Sequence, residues 1–239
     1  MAETRIQLCG RLVARIDGRR VDDVLPGRQG RIAFAYLAAH RGRTVTRDEL
    51  VAALWHEPPA GDALSPLLSK LRRVVPLEGR GDVRLALADA WVDLDAAGEA
   101  LHRAQAAIAR SDWTGAWGPA RVAQHIAARG LLTGDEAPWL DERRRELHEL
   151  HLRALELAGR ASLEIGGAEL DTAERSAHAL IRRSPYRESG YRLLMETLAA
   201  RGDGAEALLV YDDLRRRLRD DLGTAPSPLT QAVHRRLLG

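Results

Sequence analysis

A repeated spacing of small and apolar residues constrains the fold of the C-terminal part of the chain. Three segments carry such residues at positions x, x+4 and x+7, which lie on one face of a helix. They are Ala116/Ala120/Ala123, Ala173/Ala177/Leu180 and Ala207/Tyr211/Leu214. The second and third sets lie 34 residues apart at all three positions. That period is typical of stacked pairs of antiparallel helices, so we expect helical hairpins from about residue 96 onward.

The first 95 residues or so combine strand and helix signals. Apolar and polar residues alternate around residues 6–8 and 12–16, and Asp17-Gly18 predicts a hairpin turn before a third strand. Three helical segments follow, the first closed by Gly42 and the second opened by a capping box of Thr46 and Glu49. The runs VRLAL and WVDL then predict a hairpin with Ala88-Asp89-Ala90 at its tip. This order is that of a winged helix-turn-helix preceded by a sheet.

The third predicted helix, which ends at Pro76, has one apolar and one polar face. Leucines and valines, among them Leu64 and Leu71, face inward, whereas the outward face is polar. The outward residues are Ser65, Ser69 and Arg72, flanked by Lys70 and Arg73. Arginine can bond guanine edges, and serine, lysine and arginine can hold phosphates. We therefore predict a DNA contact, in which Arg72 is a candidate for reading a base or for holding a phosphate; a solvated helix face is the alternative interpretation.

Four further arginines are weaker candidates for the same contact. Arg43 and Arg47 flank the start of the second helix, whose N-terminus could meet a phosphate, and an exposed cap is the alternative. Arg80 and Arg84 lie beside the predicted wing.

Three segments resemble the bacterial regulators of the SARP/AfsR type. They are LLSKLRRV at 67–74, similar to the family's recognition helix, and residues 134–156 and 184–228, similar to its helical domain. The resemblance covers nearly the whole chain. It implies an OmpR-like winged helix joined to a bacterial transcriptional activator domain, with sequence-specific DNA binding and recruitment of the transcription machinery.

The chain departs from this family in two DNA-reading elements. Many relatives have a basic or polar residue where Ser65 and Pro66 stand, and proline is costly inside a helix unless Ser65 is the N-cap and Pro66 the first helical residue. Asp89, placed at the predicted wing tip, would be repelled by phosphates. Both departures favour a second interpretation, a non-catalytic protein-interaction adaptor whose winged helix has lost DNA affinity.

Charge and composition limit the other classes of function. The 36 basic and 34 acidic residues leave a formal charge of +2, so any basic patch must be local. The single cysteine, Cys9, excludes an intramolecular disulfide and is expected in the core. His148 and His151 are expected on an exposed helix face, and no nucleotide or catalytic motif is present. We expect no catalytic residue, cofactor or metal, and a cytoplasmic location without membrane contact.

Together these features predict a mostly α protein with two domains. Residues 1–95 would form an α+β winged helix-turn-helix, and residues 96–239 an all-α, tetratricopeptide-like helical-hairpin domain. The predicted function is that of a DNA-binding transcriptional regulator, an activator that recruits RNA polymerase to promoters. Its expected partners are double-stranded DNA, RNA polymerase and a second copy of the chain.

Overall fold

The computed structural model describes residues 3–87 and 89–239, which divide into two compact units. The first unit contains the chain up to Gly98 together with Ile126–Glu149. The second contains Glu99–His125 and Leu150–Gly239. The predicted domain limit at residue 95 stays a prediction. The compact units differ from the predicted domains mainly in the segment Ile126–Glu149, which belongs to the first unit.

The first unit contains two small sheets and three helices before residue 93. Its strands are β1 (Arg5–Gln7), β2 (Val13–Ile16), β3 (Arg19–Arg20), β4 (Leu77–Glu78), β5 (Arg84–Leu85) and β6 (Trp91–Val92), and its helices are α1 (Gly27–Ala39), α2 (Arg47–Leu54) and α3 (Leu64–Leu71). Strands β3, β2, β1 and β6 form one sheet in that order, and β4 pairs with β5.

Local sequence signals correctly predicted two features of this unit. Asp17 and Gly18 both have positive φ, 49° and 79°, and connect the antiparallel strands β2 and β3. Two consecutive positive φ angles are typical of the tight turn that joins hairpin strands. The Thr46 side chain accepts a hydrogen bond from the Glu49 backbone N–H at 3.2 Å, so Thr46 is the N-cap of α2 as predicted.

The predicted wing hairpin was wrong in its position. Strand β4 pairs with β5, so the hairpin loop lies at residues 79–83, and β6 pairs in parallel with β1 in the other sheet. Gly79 has a φ of +86°, and a Cβ there would lie 2.0 Å from the Asp82 carbonyl oxygen, so the turn requires glycine. Val92 is buried in the sheet. Asp89 is exposed but lies outside the hairpin, and Ala88 lies outside the described residues.

The second unit is all helical. Its elements are α4 (Asp93–Ala109), α5 (Trp113–Ala127), α6 (Pro138–Ile165), α7 (Leu170–Arg183), α8 (Glu188–Arg201), α9 (Gly204–Leu222) and α10 (Pro228–Leu237), of which α4, α5 and α6 also contribute residues to the first unit. Helices α7 and α9 carry the two sets of residues spaced by 34 positions, and all six residues are buried. The predicted helical-hairpin architecture is confirmed.

Alanines allow three of these helices to pack closely. Three successive layers each contain one alanine from α4, one from α5 and one from α6: Ala100/Ala123/Ala154, Ala104/Ala120/Ala158 and Ala107/Ala116/Ala161. The small side chains let the helix backbones approach, which explains why the first x, x+4, x+7 set consists only of alanine.

Candidate nucleic-acid interface

Helix α3 begins one residue before Ser65, so Ser65 is not its N-cap. Pro66 is the third helical residue and lies in the first turn, where backbone N–H groups have no acceptor within the helix. Proline therefore sacrifices no helical hydrogen bond there. The Asp62 carboxylate accepts the Ser65 backbone N–H at 2.9 Å and takes over part of the capping. Pro66 is thus compatible with this helix, although Ser65 is not the N-cap and Pro66 is not the first helical residue.

The C-terminal end of α3 and the turn that follows it present three polar side chains to solvent. Ser69, Lys70 and Arg73 are exposed, and within the described residues none of the three forms a side-chain hydrogen bond or ion pair. On the opposite side Leu68 and Leu71 are almost fully buried. The helix is thus anchored by its leucines, and its outward end offers free donors.

Arg72, by contrast, is engaged within the protein. The helix ends at Leu71, and residues 72–74 form a turn in which the Arg72 N–H bonds the Leu68 carbonyl at 2.9 Å. The Arg72 guanidinium donates to the carbonyl of Gly79 in the β4–β5 loop. This contact connects the end of α3 to the hairpin, so Arg72 is placed to position the hairpin.

The hairpin carries one free arginine and one paired arginine. Arg80, in the loop, is exposed and has no ion-pair partner among the residues that the structure describes. Arg84 donates to Glu78 across the strand pair. The backbones of Val83 and Val45 exchange two hydrogen bonds of 2.8 Å, which hold the hairpin against the segment that precedes α2. Arg80 therefore extends from an anchored loop.

The two arginines near the start of α2 are also engaged. Arg43 donates to Glu49 at 2.9 Å, and the Tyr36 hydroxyl donates to the same carboxylate at 2.6 Å. These hydrogen bonds lower the pKa of Glu49 to about 2, and the one from Arg43 has the larger effect. Arg47 bonds Asp62 at 3.2 Å and the Ser65 hydroxyl at 2.8 Å, and so links the starts of α2 and α3.

The nine predicted contact residues thus fall into two groups. Four have free, exposed side chains: Ser69, Lys70, Arg73 and Arg80. Five hold the surrounding geometry: Arg43, Arg47, Ser65, Arg72 and Arg84.

Sequence reasoning missed the buried carboxylate that supports this unit. Asp93 is fully buried and accepts hydrogen bonds from the backbone N–H groups of Leu8 at 2.7 Å and Cys9 at 3.1 Å, and from Arg129 at 3.1 Å. Burial raises the pKa of Asp93, and the three donors oppose that rise. The fixed acceptor at residue 93 ties the start of α4 to the end of β1.

Two more side chains differ from the sequence interpretation. His148 is exposed as expected, but His151 is buried. Arg144, in the charged run Glu142–Glu146 whose composition is typical of a solvated helix face, donates to the carbonyls of Leu131, Leu132 and Asp135 at 3.2, 3.1 and 2.6 Å. Cys9 is buried as predicted, and burial raises its pKa to about 12.

The described chain offers neither a metal cluster nor a membrane span. No group of three or more His, Cys, Asp or Glu side chains within residues 3–87 and 89–239 is arranged to hold a metal ion. In that part of the chain no helix is both long and apolar enough to cross a bilayer.

Comparisons with known proteins agree with this architecture. Residues 92–238 match the family described as the bacterial transcriptional activator domain. The chain is 34% identical to the regulatory protein AfsR of Streptomyces coelicolor over 218 residues, covering 88% of this chain and 22% of AfsR. It is 30% identical to the transcriptional regulatory protein EmbR of Mycobacterium tuberculosis over 255 aligned positions, covering 97% of this chain and 62% of EmbR.

A solved structure of Mycobacterium tuberculosis EmbR, in complex with a low affinity phosphopeptide, has the same fold. The TM-score is 0.86 at 24% identity, over 99% of this chain and 65% of that one. The chain therefore spans about a fifth of AfsR and less than two thirds of EmbR. The family match, together with the similarity to AfsR and EmbR, leads to one conclusion: the chain belongs to the SARP/AfsR-type family that carries the bacterial transcriptional activator domain.

Proposed function

We propose that the protein binds duplex DNA through α3 and the β4–β5 hairpin and acts as a transcriptional activator that recruits RNA polymerase. The observation that carries the proposal is the free, outward end of α3. Ser69, Lys70 and Arg73 have no competing partner in the described structure, so binding a phosphate or a base edge breaks no internal ion pair. A helix of this width fits the major groove of B-DNA.

The hairpin would add a second contact with the DNA backbone. Arg80 extends from the loop beside the end of α3, because Arg72 holds the loop carbonyl of Gly79. An arginine in this position suits the phosphates that flank the groove occupied by α3. The paired arginines Arg43 and Arg47 would then act indirectly, by fixing the position of α2 and α3.

The second unit would serve the activating step. Relatives with this domain are named as regulatory proteins, which supports a role in transcription rather than catalysis. We propose that its helices contact RNA polymerase, and that a second copy of the chain is a further partner. Neither Pro66 nor Asp89 supports the adaptor alternative, since Pro66 lies in the first turn of a helix and Asp89 lies outside the hairpin. The acidic residue in the hairpin loop is Asp82.

A salt-titrated binding assay tests the DNA proposal. The full chain is titrated onto fluorescent duplexes enriched from pooled genomic fragments, between about 50 and 200 mM salt. The double variant Lys70→Ala/Arg73→Ala is expected to bind more weakly. Its log–log salt slope should be lower by up to about 0.9 for each phosphate that the variant no longer neutralises. Arg182→Ala, which removes an exposed arginine of α7, is the matched control and should behave as the parent.

Two results would contradict the proposal. One is the absence of binding to any duplex at physiological salt, which favours the adaptor interpretation. The other is a double variant with the affinity and salt slope of the parent, which would remove α3 from the interface.

A further inference from the structure

An open groove lies on the second unit, between α6, α8 and α10. It encloses about 720 Å³. The side chains around it are Arg160, Arg192, Glu196, Leu229, Ala232, Val233, Arg235 and Arg236, with Gly239 at one end. A smaller depression of about 210 Å³ shares Arg160, Arg192 and Glu196 with it and continues along α6 and α8. The smaller depression also contains Glu156, whose carboxylate accepts hydrogen bonds from Arg187 at 2.7 Å and from the Ser189 hydroxyl.

Helix α10 supplies an apolar floor to the groove. Leu229 is 69% exposed there, and Ala232 and Val233 lie on the same helix. An isolated exposed leucine is ordinary on a protein surface, but one that lines a concavity can be covered by a ligand side chain. The floor therefore favours an occupant that has apolar groups of its own.

The rim of the groove is positively charged. Glu196 is the only acidic side chain lining it within the described residues, and its two carboxylate oxygens are already bound by Arg160 at 3.0 Å and Arg236 at 2.7 Å. Arg192 donates one hydrogen bond to the Thr230 hydroxyl at 3.0 Å, and the same guanidinium nitrogen lies 4.0 Å from the Glu188 carboxylate. The remaining N–H groups of the guanidinium are left for a ligand. Arg235 is exposed and has no ion pair in the described part of the chain. Arg192 and Arg235 can therefore receive carboxylates.

We propose that this groove binds an acidic peptide segment of a partner protein. Carboxylates of the segment pair with Arg192 and Arg235, and an apolar side chain next to them covers Leu229. Charge complementarity selects an acidic ligand, and the apolar floor selects a peptide over a nucleic acid, whose backbone offers phosphates but no apolar side chain. The groove belongs to the second unit alone, so peptide binding there does not depend on DNA binding by α3.

A fluorescent synthetic peptide of about twelve residues, built from glutamate and leucine, is the probe. Two matched peptides replace either every glutamate by glutamine or every leucine by serine. Fluorescence anisotropy with the full chain should show saturable binding of the first peptide. Both matched peptides should bind at least about tenfold more weakly, and added salt should weaken binding of the acidic peptide.

Substitutions in the groove test whether the peptide binds there. Arg235→Glu should weaken peptide binding about tenfold and Leu229→Ser about threefold to tenfold, because each removes one of the two kinds of contact. The controls are Arg182→Glu on α7 and Leu209→Ser on α9, which change equally exposed side chains outside the groove. All four sites are exposed, and circular dichroism should show an unchanged fold. Both controls should bind the peptide as the parent does.

Three outcomes would overturn the proposal. The acidic peptide fails to bind, the glutamine peptide binds equally well, or the groove variants bind as the controls do. A parallel titration with a labelled DNA duplex tests whether the groove binds nucleic acid instead of a peptide. If Arg235→Glu weakens duplex binding and leaves peptide binding unchanged, the groove is a nucleic-acid surface and the peptide proposal is wrong. The Lys70→Ala/Arg73→Ala variant should retain full peptide binding, which separates this test from the DNA proposal.

Discussion

Replacing Arg72 by alanine distinguishes a base-reading arginine from one that positions the hairpin. Arg72 donates to the Gly79 carbonyl, so its removal releases the loop that carries Arg80. The hydrogen bond comes from a charged donor but is exposed, and we expect it to contribute about 1 kcal/mol. If that energy holds Arg80 near a phosphate, Arg72→Ala should weaken binding about fivefold on every duplex. A base-reading arginine would instead lose about 1–3 kcal/mol at one base pair only.

The assay compares the parent duplex with single-base-pair variants of it by fluorescence anisotropy at fixed salt. For Arg72→Ala we expect a uniform loss of affinity and unchanged ratios between the duplexes. Arg73→Ala is the comparison, because Arg73 has no internal partner in the described structure and should lower the salt slope directly. Relaxed preference at one base pair in Arg72→Ala would refute the positioning role. It would favour a base contact, one of the two candidate roles of Arg72 in the sequence-based prediction.

The packing and the buried groups lead to three predictions about stability. Asp93→Ala should cost about 3 kcal/mol in urea unfolding, because two buried backbone N–H groups lose their acceptor. Ala120→Leu should cost about 1–3 kcal/mol by overfilling an alanine layer, whereas Val122→Leu on the exposed side of α5 should be nearly neutral. The pKa of Glu49 is lowered from 4.5 to about 2, so its ion pair stabilises the fold above about pH 4.5. The difference in unfolding free energy between parent and Glu49→Gln, about 1 kcal/mol at pH 7 after solvent screening, should disappear as the pH falls from 4.5 to 2.

Signals contained in a few adjacent residues were sufficient to predict several local features. The cap at Thr46 requires only the Thr46 side chain and the backbone N–H of Glu49. The turn at Asp17-Gly18 depends on the backbone preferences of its own two residues. The helical repeat was readable because regular spacing of small side chains in α7 and α9 is itself the packing requirement.

The wing hairpin could not be placed from the same kind of signal. Its strands are two residues long, too short for an alternating pattern, and the turn residue that decides its position is Gly79. The run at 91–92 has the composition of a strand, but its partner is β1, more than eighty residues away in sequence. The sequence around residues 91–92 does not indicate a parallel partner strand so far away in the chain.

The free side chains of the candidate interface were equally hard to identify. Arg47 and Arg73 are both arginines near the predicted recognition helix, and only the folded chain brings Asp62 to Arg47. Arg144 is not available to DNA, because its guanidinium donates to three carbonyls of the preceding loop. Whether an arginine is available to DNA depends on which acceptors the fold has already given it.

The acidic residue in the loop of the wing is Asp82 rather than Asp89. Asp82 is exposed in the β4–β5 hairpin, close in sequence to Arg80, whereas Asp89 is exposed outside that hairpin. At an exposed site a carboxylate and a phosphate a few ångströms apart repel each other by about 1 kcal/mol or less. Asp82→Arg should therefore tighten DNA binding several-fold and steepen the salt slope by up to about 0.9.

Asp89→Arg makes the same charge change and is the matched control, expected to leave affinity and slope close to those of the parent. If Asp82→Arg binds as the parent does, the hairpin stays clear of the duplex and Arg80 is not a phosphate contact. If Asp89→Arg alone tightens binding, the surface near residue 89 faces the DNA instead. Either result would remove the hairpin from the proposed interface. The contact of α3 with DNA would then depend on the outcome of the Lys70→Ala/Arg73→Ala test.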